Sequence, residues 1–412
     1  MNSLTRIHLG FFIYGLFYYE LVIYEIVELG LRMETYRVGL LYSTDGTYRR
    51  IASNALLGAS YAIEQVNADD RYPFQLEGVH VNPKGNLDEY INGAQSLLKS
   101  GIRHIAGTIT SSARKEVIPD VHEHQALLWY GSPYEGYECD EHVVYHGACP
   151  NQNLLQILRY AVPRFGKRVA LLGSNYIWGW ESNRIARDAI DSIGGEIIED
   201  TYYRFDTTDF RLSIENIKSQ KPDFVINNLV GESSYAFLHQ LDDAWSAESL
   251  PVLSSNLSEC ELASIRALPN LRLFTALTFF QSVNPQFTEK VKMAMSCGEP
   301  VSSNFVGAYL SILSLANAIA IAGSDDVTSV RAVLGKVCTD TPMGHTLMIA
   351  KNQHAILPCF IGERDGDDFK TVKCYPPIEP NPYLIAQQFL TDIERLTDME
   401  TVNSSVKLRV VK

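Results

Sequence analysis

The chain has 412 residues, with 48 acidic and 35 basic side chains and a formal net charge of −13, so a prior of about 150 residues per domain allows two to three domains that each bury a core. With 46% hydrophobic and 20% charged residues, the composition is that of a globular protein and excludes the disordered, collagen-like and disulfide-scaffold classes. An acidic surface with no Lys/Arg-dense stripe excludes direct nucleic-acid binding. The cysteines at 139, 149, 260, 297, 338, 359 and 374 lack C-x-x-C spacing. Reduced, buried thiols are expected, although Cys139 and Cys149 are close enough in sequence to pair in an oxidising compartment.

Residues 1–32 carry a basic stretch, an apolar run from Leu9 to Tyr19, and then Glu20, Glu25 and Glu28 in place of an A-x-A cleavage site. The run is short for a membrane span. Met33 stands directly before the first foldable pattern, so residues 1–32 read as an upstream extension or leader, and a cytoplasmic location is expected. A periplasmic or envelope-associated protein is the alternative if residues 1–32 are a true leader. From Tyr36 onward, short β-rich runs alternate with longer helical patterns, which predicts parallel sheets covered by helices. Arg37 to Tyr42 reads as a buried strand, followed by an amphipathic helix over 51–67, with Ile51, Ala55, Ala59, Ala62 and Val66 facing the sheet. Strands are predicted at 74–81, 104–107 and 126–130. After Pro150 the alternation restarts, with strands at 168–172, 196–203, 224–228 and 252–254, so two similar α/β lobes are implied. Val301 to Ala322 reads as a long helix rich in small residues, and 346–375 as short strands around turns such as Arg364 to Asp367, a portion that closes over both lobes.

No G-x-S-x-G, H-E-x-x-H, P-loop or kinase pattern is present, and the loop Ser43 to Thr47 lacks G-x-G-x-x-G. His122 and His124 are two residues apart on a helical pattern, where their side chains diverge, and Asp365, Asp367 and Asp368 fit a solvated turn better than a calcium loop. Neither an enzyme nor a metal or cofactor is expected. Polar and aromatic residues gather instead where strands end, the place at which open α/β sheets bind ligands. Gly107 to Ser111 leaves a strand and opens a helix, with Ser111 as a hydroxyl donor for a carbonyl or carboxylate or as a simple helix cap. Trp129 to Gly136 and Gly173 to Trp180 are aromatic loops that would face each other across a cleft.

Ser132-Pro133-Tyr134-Glu135-Gly136-Tyr137-Glu138, followed by Tyr145-His146-Gly147-Ala148-Cys149-Pro150-Asn151-Gln152, resembles the P-Y-E-G-x-E…Y-x-G-x-x-P-N-Q signature of the amide and urea branch of type I periplasmic-binding-protein-like receptors. Gly173-Ser174-Asn175-Tyr176, Val230-Gly231 and Asn352-x-His354 extend the likeness from about Tyr36 to Tyr383. The resemblance implies two Rossmann-like lobes joined by hinge crossings, with ligand in the interlobe cleft. Lobe one would span 33–150, completed by about 280–345, and lobe two 151–279, completed by about 346–380, with a C-terminal helix and tail over 381–412. It further implies Ser111, Tyr130, Ser132 and Pro133 as ligand contacts from lobe one, and Tyr176 and Trp178 from lobe two. Ile109, Ser132 and Trp178 depart from the amide sensor, which has tyrosine, threonine and tyrosine there. The function expected first is an amide-sensing regulator of amidase expression, with an antiterminator-type partner and homo-oligomers. The alternative is the substrate-binding component of a urea or short-chain amide ABC transporter, with a permease partner. An amino acid is the rival ligand, and Glu232 the one candidate partner for its ammonium, unless Glu232 is first-turn helix charge.

Overall fold

The computed structural model describes residues 33–296, 298–344 and 346–384. Five strands, β1 (Glu34–Leu41), β2 (Phe74–Val81), β3 (His104–Gly107), β4 (Leu127–Tyr130) and β5 (Val143–Tyr145), form a parallel sheet in the order β2-β1-β3-β4-β5. Between them run α1 (Arg49–Asn67), α2 (Leu87–Lys99) and α3 (Ser111–Glu123). On α1 the residues Ile51, Ala55, Ala59, Ala62 and Val66 are all buried, as the three- and four-residue spacing requires of a helix lying on a sheet.

The second lobe repeats the plan. Strands β6 (Arg168–Ser174), β7 (Glu196–Tyr203), β8 (Phe224–Asn228), β9 (Leu250–Ser254) and β10 (Leu271–Leu277) lie in the order β7-β6-β8-β9-β10. Helices α4 (Leu154–Phe165), α5 (Ile177–Ser192), α6 (Arg211–Gln220), α7 (Glu232–Ala244) and the short α8 (Glu259–Leu262) accompany them. Counted within each lobe, both parallel runs read 2-1-3-4-5, so each has a switch point between its first and third strands. The crevice at the carboxyl ends of those strands is where such sheets take ligands.

After β10 the chain returns to lobe one through α9 (Pro285–Met295) and α10 (Ser303–Ala322). Helix α10 is long and apolar enough to cross a membrane, but 67% of that stretch is buried inside the protein. It is a core helix packed on α1 and the first sheet. Gly307 lets it come down onto the loop after β4, because a Cβ there would stand 2.2 Å from the carbonyl oxygen of Gly131. Helix α11 (Val327–Val333) and the antiparallel pair β11 (Cys338–Asp340) and β12 (Thr346–Met348) follow.

The final strands, β13 (Leu357–Asp365) and β14 (Asp368–Ile378), form a long antiparallel hairpin that adds to β10 at the edge of the second sheet. Within 346–375 the short β12 is thus followed by two longer strands, of which β13 pairs with the edge of β10 and β14 with β13. The terminal portion also divides: α10 packs on lobe one while β13 and β14 extend lobe two. Strands β5 and β10 were not read from the sequence. The expectations for 1–32 and for the C-terminal tail from 385 lie outside the described residues.

Candidate functional site

Strand β3 ends at Gly107, whose φ of 151° and close approach to Leu41, with a Cβ position 2.5 Å from its carbonyl oxygen, admit only glycine. The chain then turns outward through Thr108 to Thr110. Thr110 caps α3 by accepting a hydrogen bond from the Ala113 N–H at 3.3 Å, which sets Ser111 in the first turn. Tyr130, the last residue of β4, is fully buried and donates its hydroxyl to the Ile109 carbonyl at 2.8 Å. It ties the two lobe-one loops together from beneath. Ser132 and Pro133 follow it, and from the other lobe Tyr176 and Trp178 open α5, Val230 follows β8 and Asn256 follows β9.

These loops meet around a cavity of about 40 Å³ lined by Ile51, Ile109, Thr110, Ser111, Ser132, Pro133, Tyr176, Trp178, Val230, Asn256 and Asn304. A buried water needs about 10–15 Å³ by the same kind of measure, so the space holds roughly three waters or an equally small solute. The structure therefore brings Ser111, Ser132, Pro133, Tyr176 and Trp178 to one cavity, while Tyr130 supports the wall rather than lining it. The indole of Trp178 is buried at 4% exposure, and its Nε1 has no hydrogen-bond partner. Tyr176 packs against Phe205 with ring centroids 5.0 Å apart. Burial, with Tyr130 and Glu135 nearby, raises the Tyr176 phenol well above its usual range and keeps it neutral.

Behind Ser111 lies a buried charged layer. Ser111 donates its hydroxyl to Glu135 Oε2 and accepts from Arg114 Nη1 at 3.2 Å. Arg114, wholly buried, pairs with Glu135 at 3.0 Å and with Glu138 at 2.8 Å, and its guanidinium lies 4.8 Å from the ring centroids of both Tyr130 and Tyr134. Burial would raise the Glu138 carboxyl, but Arg114 and Lys115 beside it hold it down at about 2. Tyr145 donates to Glu138 at 2.8 Å, and the Tyr134 hydroxyl meets His354 Nε2 at 2.5 Å. His354 stacks on Tyr145 at 4.1 Å, and burial lowers its pKa to about 4. The P-Y-E-G-x-E segment is thus the first lobe's internal brace, made of groups that satisfy one another.

The lobes also touch at the rim of the cleft. Thr47 donates to both carboxylate oxygens of Asp206, at 2.9 and 3.0 Å, and Arg49 pairs with Glu232 at 3.3 Å. Glu232 is therefore first-turn charge on α7 engaged at the rim, and it does not line the cavity as a partner for an ammonium. Ser111, expected to donate to the ligand, has its proton committed to Glu135. Sequence reasoning missed Arg114, Glu135 and Glu138 as a unit, along with Ile51, Val230, Asn256 and Asn304. A signal for the first was present: an arginine in the first turn of a helix opposes the helix dipole, so a buried acid partner should have been sought. His122 pairs with Asp140 at 2.8 Å, while His124 bonds the Asp120 carbonyl at 3.0 Å. Asp365, Asp367 and Asp368 sit at the β13–β14 turn. Cys139 and Cys149 are both free, the first exposed and the second buried.

A family model described as the periplasmic binding protein domain matches residues 36–388. The chain belongs to the periplasmic binding protein family. Its fold is that of the type I members, two α/β lobes about a cleft. Among solved structures, a periplasmic binding protein from Burkholderia mallei superposes with a TM-score of 0.73 at 16% identity, covering 84% of this chain and 95% of that one. The branched-chain amino acid transporter substrate-binding protein LivJ from Streptococcus pneumoniae, in complex with isoleucine, gives a TM-score of 0.73 at 16% identity, covering 83% and 99%. An ABC-transporter solute-binding protein from Rhodopseudomonas palustris in complex with 3,4-dihydroxybenzoic acid gives 0.73 at 18% identity, covering 84% and 98%. Membership of that family overturns the expected cytoplasmic location and points to the periplasmic side. That expectation leaned on a missing cleavage pattern in residues 1–32, which carries less weight than a match over most of the chain. Periplasmic binding proteins hold solutes without transforming them.

Proposed function

We propose that this chain is the solute-binding component of an ABC transporter and that its solute is a small, uncharged molecule of the amide or urea type. The carrying observation is the cavity itself: about 40 Å³, lined by hydroxyls, carboxamides and the Tyr176 and Trp178 rings, with no charged side chain among its lining residues. An amide or urea presents a carbonyl acceptor and planar N–H donors, which suits a wall of hydroxyls and carboxamides. The solutes in the LivJ and Rhodopseudomonas complexes, isoleucine and a benzoic acid, carry a carboxylate that wants a free cationic or multi-donor partner. Here Arg114, which bonds the lining residue Ser111 from behind, is already held by two carboxylates.

The names of the similar structures favour the transport role over the amidase regulator, so the partner this reading calls for is a permease. Titration calorimetry and thermal melts with acetamide, propionamide and urea, run beside isoleucine, acetate and 4-hydroxybenzoate, test it. One amide or urea site per chain is expected, with stabilisation of about 2.7 kcal/mol at a ligand concentration of 100 Kd. Neither heat nor a melting shift with any amide or urea, alongside clear binding of isoleucine or an aromatic acid, overturns the reading.

A further inference from the structure

We propose that the buried Glu135–Arg114 pair sets the hydrogen-bonding polarity of Ser111, so that this wall of the cavity offers a lone pair, selects a ligand N–H and turns carboxylates away. The inference deepens the amide reading and rests on it.

A serine hydroxyl has one proton to give and two lone pairs with which to accept. The Ser111 proton goes to Glu135 Oε2, an atom that can only accept while its carboxylate is paired with a guanidinium. One lone pair takes the Arg114 Nη1–H at 3.2 Å. What remains for the cavity is the second lone pair. An amide N–H satisfies it. A carboxylate would bring a further acceptor against an acceptor, in a buried setting where an unmade hydrogen bond is costly. The arginine behind the wall does not rescue the anion, because Glu135 and Glu138 together match the charges of Arg114 and Lys115, with Lys115 2.7 Å from Glu138. Trp178 lines the same cavity, and its N–H is buried with no partner of its own. The Ser111 wall is thus an acceptor, the complement of a ligand N–H.

Glu135 acts through Ser111 and is a positioning residue. Glu135→Gln isolates its role. Arg114 can only donate, so the new amide turns its oxygen to Arg114 and its NH₂ to Ser111 Oγ. Ser111 must then accept from residue 135, and its own proton is released toward the cavity. Arg114 keeps both of its bonds to Glu138, at 2.8 and 3.3 Å, so its charge stays paired.

Dissociation constants of acetamide and acetate, two solutes of nearly equal shape, are measured by calorimetry for the full chain, Glu135→Gln, Ser111→Ala and the double variant, with melts to verify folding. The unmodified chain is expected to prefer acetamide, and Glu135→Gln to shift the acetamide-to-acetate ratio toward acetate by about tenfold or more. In the Ser111→Ala background the same change is expected to leave the ratio unaltered, since the hydroxyl it reorients is gone. A ratio unmoved by Glu135→Gln while the chain still binds acetamide overturns this inference and leaves the amide reading standing. An equal shift with and without the Ser111 hydroxyl also overturns it, because Glu135 would then act on the ligand directly. Absence of acetamide and urea binding in the unmodified chain overturns both.

Discussion

Replacing Trp178 by phenylalanine separates an aromatic face in the cavity wall from a buried N–H that would have to turn to a ligand carbonyl to be paired. The indole is 4% exposed and packs within the hydrophobic cluster that runs through both lobes, while its Nε1 bonds to nothing in the protein. In the empty protein the substitution removes an unpaired donor and so breaks no hydrogen bond. Its cost is the void left beside the phenyl ring. If that void were as large as the existing 40 Å³ cavity, a penalty of about 24 cal/mol per Å³ would amount to about 1 kcal/mol.

In the complex the effect is larger, because a ligand carbonyl that accepted from Nε1 is left buried and unpaired. The loss is about 1–3 kcal/mol, which is roughly 5- to 140-fold in Kd. Chemical denaturation without ligand reads the first quantity, and calorimetric titration with acetamide reads the second. The expected pattern is a nearly unchanged unfolding midpoint with a Kd raised within that range. An unchanged Kd combined with a stability loss of about 3–5 kcal/mol, the range of a truncated core aromatic, would refute the reasoning and make Trp178 a core residue alone.

Gly307→Ala should destabilise the chain by about 1–3 kcal/mol or more through overpacking, since its Cβ would meet the Gly131 carbonyl at 2.2 Å. A melt equal to that of the unmodified chain counts against the close approach of α10 to the β4 loop. Burial lowers His354 from 6.5 to about 4, so the unfolded chain takes up its proton first as the medium becomes acidic. The His354 contribution to stability is therefore expected to be full above pH 6.5 and to fall by about 3 kcal/mol between pH 6.5 and pH 4, and urea unfolding of His354→Asn over that interval should show a shallower decline. Arg49→Gln removes a rim pair whose side chains are 49% and 43% exposed. Such a pair contributes about 0.2–1 kcal/mol, so acetamide affinity should fall by no more than roughly fivefold, and a larger drop would place Arg49 in the site itself.

Much of this protein is written locally along its chain. The alternation of buried β runs with helices such as 51–67 dictates parallel sheets, because such a helix carries one apolar stripe and inner strands such as β3 are buried throughout. Breaks such as Gly107-Thr108 and Gly131-Ser132 mark where strands end, and the helix after β3 announces its start through Thr110 and Ser111. Ligand loops in α/β sheets stand at those ends, so Ser111 and the loops Trp129 to Gly136 and Gly173 to Trp180 could be singled out with no knowledge of distance, and the family resemblance picked Ser132, Tyr176 and Trp178 within them. The P-Y-E-G-x-E segment was legible as a motif, though not as a mechanism.

Tertiary structure decided what depends on residues far apart in sequence. The direction of the Ser111 hydroxyl is set by Glu135, 24 positions away, and that choice separates a donor from an acceptor at the cavity wall. Asn304 reaches the cavity only because α10 crosses back to lobe one, and Glu232 is spent at the rim because closure sets Arg49 against it. The edge hairpin β13–β14 likewise joins the second sheet only because β13 pairs with β10, a strand contributed more than 70 residues earlier in the chain. Local sequence specifies periodicity, caps and breaks, since those depend on neighbours along the backbone. Hydrogen-bond polarity and charge pairing depend on which groups meet after burial, and only the folded lobes determine that.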